Sequence, residues 1–439
     1  MNIKLEGNKI IYNDSCLVFT KKNYISIDEI KGDDIDELIT LLLLITSNDE
    51  MTYVNNSTVS LVNHHFSDVN GIEALDYYSF TIKRFTKVGK LNTGFNNNIC
   101  DVSGVRVGNF TIHDKEYHTG VTVVSPHEGN IFRDKCVASS YSFNGFGKSI
   151  GLVQVEELGT IETNVTLTGT LNVSKIADGV VSLALDENPE IGETTGTVNP
   201  VVMECNDGTL SKSRDRILGR KSYYDAVKDL DYTFRQGAVG AGSGMVCHGF
   251  KGGIGSSSRV VTIDGKDYTV GVLVNSNFGE NNGQELIFNN RYLGDLIQES
   301  DKKEEEKGSI IGILATDAPI NERQIKRLLK RMEIGIGRTG SYAGNGSGDV
   351  FLGFSTVNKR KHFTESSVDD IQYLSDNYIN SLFKASVDAT IEAILNSMLF
   401  SKNISGYKKD CKSLLEYSKL YIDLLEGEIL WDQKKKDIN

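Results

Sequence analysis

The chain is poor in proline, with 4 in 439 residues, which excludes collagen-like and proline-rich linker architectures. Its 6 cysteines and 7 histidines contain no CxxC pair, no HxH and no HExxH, so neither a zinc site nor a disulfide framework is supported. Long apolar runs are missing too: the strongest, Leu38 to Ile45 with Thr40 inside it, is far short of the ~20 residues that a bilayer crossing needs. The opening residues, Met1 to Gly7, alternate polar and apolar and lack the apolar core of a signal peptide. Basic residues are outnumbered, 47 against 59 acidic ones, for a net charge of −12. That balance argues against nucleic acid or an anionic membrane as the main partner. These absences together predict a globular protein in a reducing, cytoplasmic setting.

Glycine, by contrast, is abundant: 43 residues, of which 37 lie between Gly94 and Gly353. A glycine-rich central body is therefore expected between two segments of ordinary composition, with boundaries near residues 90 and 360. The first segment, over 1–92, is an N-terminal extension of unknown role, and a C-terminal helical tail is expected over 406–439. In the extension, the acidic stretch Asp33 to Glu37 leads into Leu38 to Ile45, the pattern of a helix start and its buried body. His64-His65 lacks further ligands nearby and reads as surface or core.

The central body reads mainly as strands. Arg259 to Val274 holds two β-rich runs joined at Asp264-Gly265, which predicts a type I′ hairpin leading to Asn275-Ser276-Asn277. Residues 299–307 form the densest charge run of the chain and predict an exposed, mobile loop. Gly308-Ser309 follows directly and opens the apolar run to Ala315, which predicts a buried strand. Asn321 and Gln324 make a capping-box pattern for a helix with Ile325, Leu328, Leu329 and Met332 on one face. We expect that helix to end at Gly335–Gly340, a strand over Val350 to Thr356, and a longer helix carrying Ile379, Leu382, Phe383, Val387, Ile391, Ile394, Leu395 and Met398.

Several motifs carry less than they first suggest. Gly237 to Gly255 holds eight glycines in nineteen residues, but Met245 breaks GxGxxG and no GxxxxGK[ST] occurs, so close backbone approach explains it better than a phosphate cradle. Tyr224 and Lys228 make a YxxxK that i, i+4 helix neighbours account for. Ser381/Lys384 and Ser375-Asp376-Asn377 occur in the wrong order for a penicillin-binding site, and no GxSxG elbow exists. The remaining constellation is Gly308-Ser309 with Ser347, Asp349 and Asn277. A serine hydroxyl needs a base and donors aimed at the oxyanion. A free α-amine on the serine itself, with a pKa of about 7.7 to 8.0 in model peptides, would be a suitable base, and cutting the chain before Ser309 would create it. On the residues alone, the bland alternative is that Ser309 merely opens a strand.

The sequence resembles the DmpA-type aminopeptidases, the family that includes L-aminopeptidase/D-Ala-esterase and the β-aminopeptidases. The resemblance rests on separated matches across roughly residues 94–405: Asp101 to Gly108, Thr119 to Val123, Asn144 to Lys148, Glu157 to Thr163, Asn199 to Val202, Glu204 to Gly208, Gly252 to Ser256, Val274 to Gly279, Gly308 to Ile311, Ala315 to Pro319 and Gly335 to Arg338. It implies an α+β fold, the four-layer αββα sandwich of N-terminal-nucleophile hydrolases, with the catalytic domain split into an α-chain part over 93–308 and a β-chain part over 309–405. Self-cleavage between Gly308 and Ser309 would free Ser309 as nucleophile. By the same matching, Asn277 would stabilise the oxyanion, and Ser347 with Asp349 would orient or deprotonate Ser309. Glu204 would accept the free amino group of a short peptide, amide or ester, and Asn206 would line the substrate site. No cofactor and no metal is expected, and the assembly implied is a homo-oligomer of processed αβ units. The sequence departs from the family pattern at Asp349, where glutamate is expected, at Asn206, where some members carry tyrosine, and at Gly169, where asparagine is expected. Acyl transfer to an amine, as in the fold-related ornithine acetyltransferases, and a non-catalytic homologue are the alternative readings.

Overall fold

The computed structural model describes residues 88–280, 283–288, 291–295, 308–364, 366–369 and 371–414, together with six short strands between Ile3 and Leu61. The helix expected at Leu38 to Ile45, His64-His65 and the charged run 299–307 lie outside the described residues. The chain divides into two compact units, one of Met1–Lys87 with Ser413–Asn439 and one of Val88–Lys412. In the first unit, Ile3–Glu6, Lys9–Tyr12 and Ser15–Val18 pair in sequence order, and Thr58–Leu61 lies between Ile25–Ser26 and Thr52–Val54.

The second unit is built on two sheets. One has four strands: β1 (Arg106–His113), β2 (His118–Ser125), β5 (Val165–Gly169) and β6 (Val201–Cys205), in the order β6-β5-β2-β1. The other has six: β3 (Asp134–Gly145), β4 (Thr160–Ile161), β7 (Gly253–Ile263), β8 (Lys266–Asn277), β9 (Ser309–Thr316) and β10 (Gly348–Lys361), in the order β4-β3-β10-β9-β8-β7. Helix α1 (Leu152–Leu158) follows β3. Helices α2 (Val173–Glu187) and α3 (Arg220–Lys228) pack on the four-stranded sheet. Helices α4 (Glu322–Arg338) and α5 (Asn380–Leu399) pack on the six-stranded one. The order of layers is thus helices, sheet, sheet, helices, the expected αββα sandwich.

Burial follows from strand alternation. Ile311, Ile313, Leu352 and Phe354 from the large sheet meet Val107, Val124, Leu167 and Met203 from the small one in a single core between the sheets. Val121, Val123 and Val202 point the other way, to Ile176, Val180, Tyr223 and Ala226 beneath α2 and α3. Strand β9 is buried at all eight positions, as an inner strand covered on both faces must be.

The predicted hairpin is present: Ile263 pairs with Lys266, and the turn residues Asp264 and Gly265 both have positive φ, 49° and 76°, as a type I′ turn requires. The Asn321/Gln324 capping box starts α4 as expected. That helix ends at Arg338, within the expected Gly335–Gly340, and Gly335 inside its last turn serves contact between helices, lying against Thr390 of α5 where a side chain would clash. Strand β10 continues past the expected Thr356 to Lys361, across a break in its register with β3 between Ser355 and Lys359. The helical tail expected from residue 406 is corrected at its start: Ile404–Ser405 pairs antiparallel with Asp410–Cys411 as a hairpin. That hairpin is tied down by Tyr407 N–H to the Leu210 carbonyl and by the Cys411 side chain packed against Leu210 and Val246. Residues 415–439 lie outside the described part.

Candidate active site

Three strand ends converge at one edge of the large sheet. Strand β8 finishes at Asn277, opposite Ser309 at the head of antiparallel β9. Strand β10 begins at Gly348, opposite Ser309 in parallel register. A parallel neighbour needs a crossover, and α4 supplies it. The sheet therefore brings together Asn277, Ser309, Ser347 and Asp349, which are spread over more than seventy positions in sequence.

Three of these side chains are held by hydrogen bonds. Asn277 is buried, its Oδ1 accepting from Val246 N–H at 2.9 Å and its Nδ2 donating to the Asn206 carbonyl at 3.3 Å. Because a backbone N–H can only donate, the contact with Val246 fixes which end of the amide is oxygen and leaves the second Nδ2 hydrogen as a donor. Ser347 Oγ donates to Asp349 Oδ1 at 2.6 Å, and both residues are buried. The aspartate, one methylene shorter than the expected glutamate, still reaches Ser347. Asn144, at the end of β3, donates from Nδ2 to the Gly344 carbonyl at 2.8 Å and so braces the loop that carries Ser347.

Gly308 precedes the serine with φ of 139°, a conformation that disfavours any side chain. A Cβ there would also overlap the Asn277 carbonyl oxygen. The Gly308 carbonyl accepts from Gly348 N–H at 3.2 Å. Ser309 itself is 7% exposed. The Cys205 Sγ lies 3.6 Å from the Ser309 carbonyl oxygen, and burial pushes that thiol well above its ordinary range, which removes it as a competing nucleophile.

Glu204, on β6 of the facing sheet, is buried. Its Oε1 accepts from Lys148 N–H at 2.8 Å, and its Oε2 accepts the Thr170 hydroxyl. A buried carboxylate held by two donors keeps lone pairs for a cation. Asn206 is exposed, and its Oδ1 closes a turn by accepting from Gly208 N–H at 2.9 Å. Its carbonyl, rather than its side chain, joins the site through Asn277. The departure at Gly169 is matched by Asp207, whose carboxylate fills the space a side chain at 169 would take and accepts from Thr119 Oγ1 at 2.6 Å. Burial raises Asp207 to about 6. Among the described residues no group of His, Cys, Asp and Glu could hold a metal ion, and no helix is long and apolar enough to cross a membrane.

Sequence reasoning missed the supports of these residues. Lys148 N–H, Thr170 and the Val246 N–H act through hydrogen bonds that no spacing reveals. The motif Asn144 to Lys148 was the signal available for the first.

Solved structures share this arrangement of layers. The chain is similar to the PH0078 protein from Pyrococcus horikoshii OT3, with a TM-score of 0.74 and 42% identity over 79% of this chain and 98% of that one. It is similar also to the L-aminopeptidase D-Ala-esterase/amidase of Ochrobactrum anthropi, with a TM-score of 0.71 and 30% identity over 76% of this chain and 96% of that one. That enzyme is described as a prototype for the serine aminopeptidases and a new variant of the Ntn hydrolase fold. Fold and site together define a serine aminopeptidase with the fold of the N-terminal-nucleophile hydrolases. The model of peptidase family S58 matches residues 97–412, and the beta-peptidyl aminopeptidase BapA of Sphingosinicella microcystinivorans is 34% identical over 338 residues, 71% of this chain and 84% of the relative. The chain belongs to peptidase family S58.

Proposed function

We propose that this serine peptidase matures by cutting itself between Gly308 and Ser309 and then removes small N-terminal residues from short peptides, amides or esters. The observation that carries the reading is the seat of Ser309: it heads an inner strand beside Asn277, directly after a glycine whose carbonyl accepts from Gly348 N–H. In maturation the Ser309 hydroxyl attacks the Gly308 carbonyl carbon, the C–N bond breaks, and the acyl group passes from nitrogen to oxygen. Water then hydrolyses the ester, leaving a Gly308 carboxylate and a free Ser309 α-amine. The products are an α chain of 308 residues and a β chain holding the remaining 131 of the 439.

In turnover the α-amine takes the Ser309 hydroxyl proton as the oxygen attacks the substrate carbonyl, and it returns that proton to the leaving amine. The free Nδ2 hydrogen of Asn277 stabilises the oxyanion. Asp349 holds Ser347, which orients the nucleophile. Glu204 receives the substrate ammonium, because a cation leaving water needs a charge-assisted partner. The names of the relatives, a beta-peptidyl aminopeptidase and an L-aminopeptidase D-Ala-esterase/amidase, support an N-terminal amino acid or amide as substrate. A cytoplasmic location and a homo-oligomer of αβ units complete the proposal.

Denaturing electrophoresis of purified protein tests it. Wild type should give two fragments, and Ser309→Ala one intact chain without hydrolysis of aminoacyl-nitroanilides. A Ser309→Ala protein that is still cut, or still turns over substrate, would overturn the assignment.

A further inference from the structure

Lysine belongs on protein surfaces, yet Lys251 is 0% exposed. It lies on the short strand Phe250–Lys251, which pairs with Val246–Cys247 so that Lys251 faces Val246. Its Nζ donates to three carbonyls: Gly242 at 3.0 Å, Met245 at 2.8 Å and Gly252 at 2.6 Å. An ammonium has three hydrogens, so this cage uses every one of them, and carbonyl dipoles rather than a carboxylate balance the charge. The titratable groups facing it are Cys247 from the same hairpin, Cys411 from the 404–411 hairpin, and His113 and His118 from β1 and β2. Burial keeps both imidazoles and the Cys411 thiol towards their neutral forms.

One of the three carbonyls has a particular neighbour. Met245 C=O and Val246 N–H are the two ends of one peptide plane, which is rigid. Lys251 grips the oxygen end at 2.8 Å, and the N–H end donates to Asn277 Oδ1 at 2.9 Å. A charge on the carbonyl also polarises the plane and strengthens the bond its N–H donates. We propose that Lys251 is a positioning residue for catalysis, its ammonium clamping the Met245–Val246 peptide so that Asn277 stays aimed at the oxyanion. This rests on the reading of Asn277 as oxyanion donor.

The clamp depends on the third proton. A neutral amine offers two hydrogens and a lone pair to three carbonyls, so one carbonyl is repelled and the cage opens. Burial pushes Lys251 down to about 7, so the clamp is full below that pH and lost above it. An unfolded lysine keeps its proton to about 10.4. Between these values the unfolded chain binds more protons, so the contribution of Lys251 to folding stability rises with pH while kcat falls.

The test is Lys251→Met in the full chain, assayed with an aminoacyl-nitroanilide from about pH 6 to about pH 9 alongside wild type, Lys251→Arg and Asn277→Ala. Loss of an oxyanion donor costs about 10²–10³ in kcat. Lys251→Met should therefore lose about 10- to 100-fold in kcat with little change in KM, and its alkaline limb should flatten. Lys251→Arg, which keeps the charge, should recover part of the rate. Wild-type kcat with an unchanged alkaline limb in Lys251→Met would overturn the proposal. Full activity in Asn277→Ala would instead sink the oxyanion assignment. Amide exchange of Val246 at about pH 6 reads the clamp apart from turnover: its protection relative to neighbouring amides should be lower in Lys251→Met than in wild type and partly restored in Lys251→Arg, and equal protection in all three refutes the clamp.

Discussion

Gly308→Ala separates the cut from the chemistry that follows it. A Cβ on Gly308 would stand 1.9 Å from the Asn277 carbonyl oxygen, where an ordinary carbon–oxygen approach is about 3.3–3.6 Å. The two backbones must therefore part by about 1.5 Å. The Gly308 carbonyl accepts from Gly348 N–H at 3.2 Å on the other side of β9, so the displacement should shift that carbonyl out of line with its donor. The φ of 139° adds strain of about 1–3 kcal/mol for a residue with a side chain, less than the stability of about 5–15 kcal/mol that a native domain has. The variant should fold. What it loses is one donor to the carbonyl that becomes an oxyanion in the first step of cleavage, a loss worth about 10²–10³ in rate. The assay is a time course of freshly purified precursor by denaturing electrophoresis, with hydrolysis measured on the cleaved fraction. Maturation should slow by two to three orders of magnitude, while activity per cleaved molecule should stay within about threefold of wild type, since the strained peptide no longer exists after the cut. Maturation at the wild-type rate, or normal cleavage with inactive product, would refute the reasoning.

Two further substitutions probe other parts of the molecule. Glu204→Gln keeps the shape that accepts Lys148 N–H but removes the charge that meets the substrate ammonium, so KM for aminoacyl-nitroanilides should rise by about 10- to 100-fold, corresponding to the 1.5–3 kcal/mol of a charge-assisted bond. Self-cleavage, which involves no ammonium, should proceed normally, and a block at that stage would argue against this role. Arg259→Met tests the buried ion pair with Glu392 of α5: both side chains are 0% exposed, and the guanidinium also donates to Ser257 Oγ and the Ser258 carbonyl, each at 2.7 Å. Removing one partner should cost about 3–5 kcal/mol in denaturant unfolding, and Arg259→Met with Glu392→Leu should recover much of it. A single variant as stable as wild type would show that the pair contributes nothing.

Local structure was legible in the sequence where local chemistry decides it. The turn at Asp264-Gly265 and the cap at Asn321 each specify a backbone conformation through their own side chains. Gly335 carries a second purpose beyond marking where α4 ends, letting two helices touch, and that purpose is visible only once α5 lies alongside. The site was legible as a set of residues but not as an arrangement. Its geometry comes from the registers Asn277 to Ser309 and Ser309 to Gly348, which join strands from distant parts of the chain. Lys251 and Arg259 were illegible for a different reason: a cation is read as exposed unless its partners are known, and here the partners are backbone carbonyls in one case and a carboxylate 133 positions away in the other.

The order of the large sheet bears on what the two proposed products can do once made. Strands β9 and β10 would both belong to the shorter chain, and they sit as a pair between β8 on one side and β3 on the other, both from the longer chain. The shorter chain is therefore wedged inside its partner's sheet. To leave, it would have to unzip two hydrogen-bonded seams at once and expose the apolar face of β9 to water. On the proposed maturation the same wedge would set an order of events, with the sheet closing while the polypeptide is continuous and scission coming afterwards. The cut would then make two molecules in the covalent sense that stay a single mechanical object, with Ser309, Ser347 and Asp349 carried by one piece and Asn277 and Glu204 by the other.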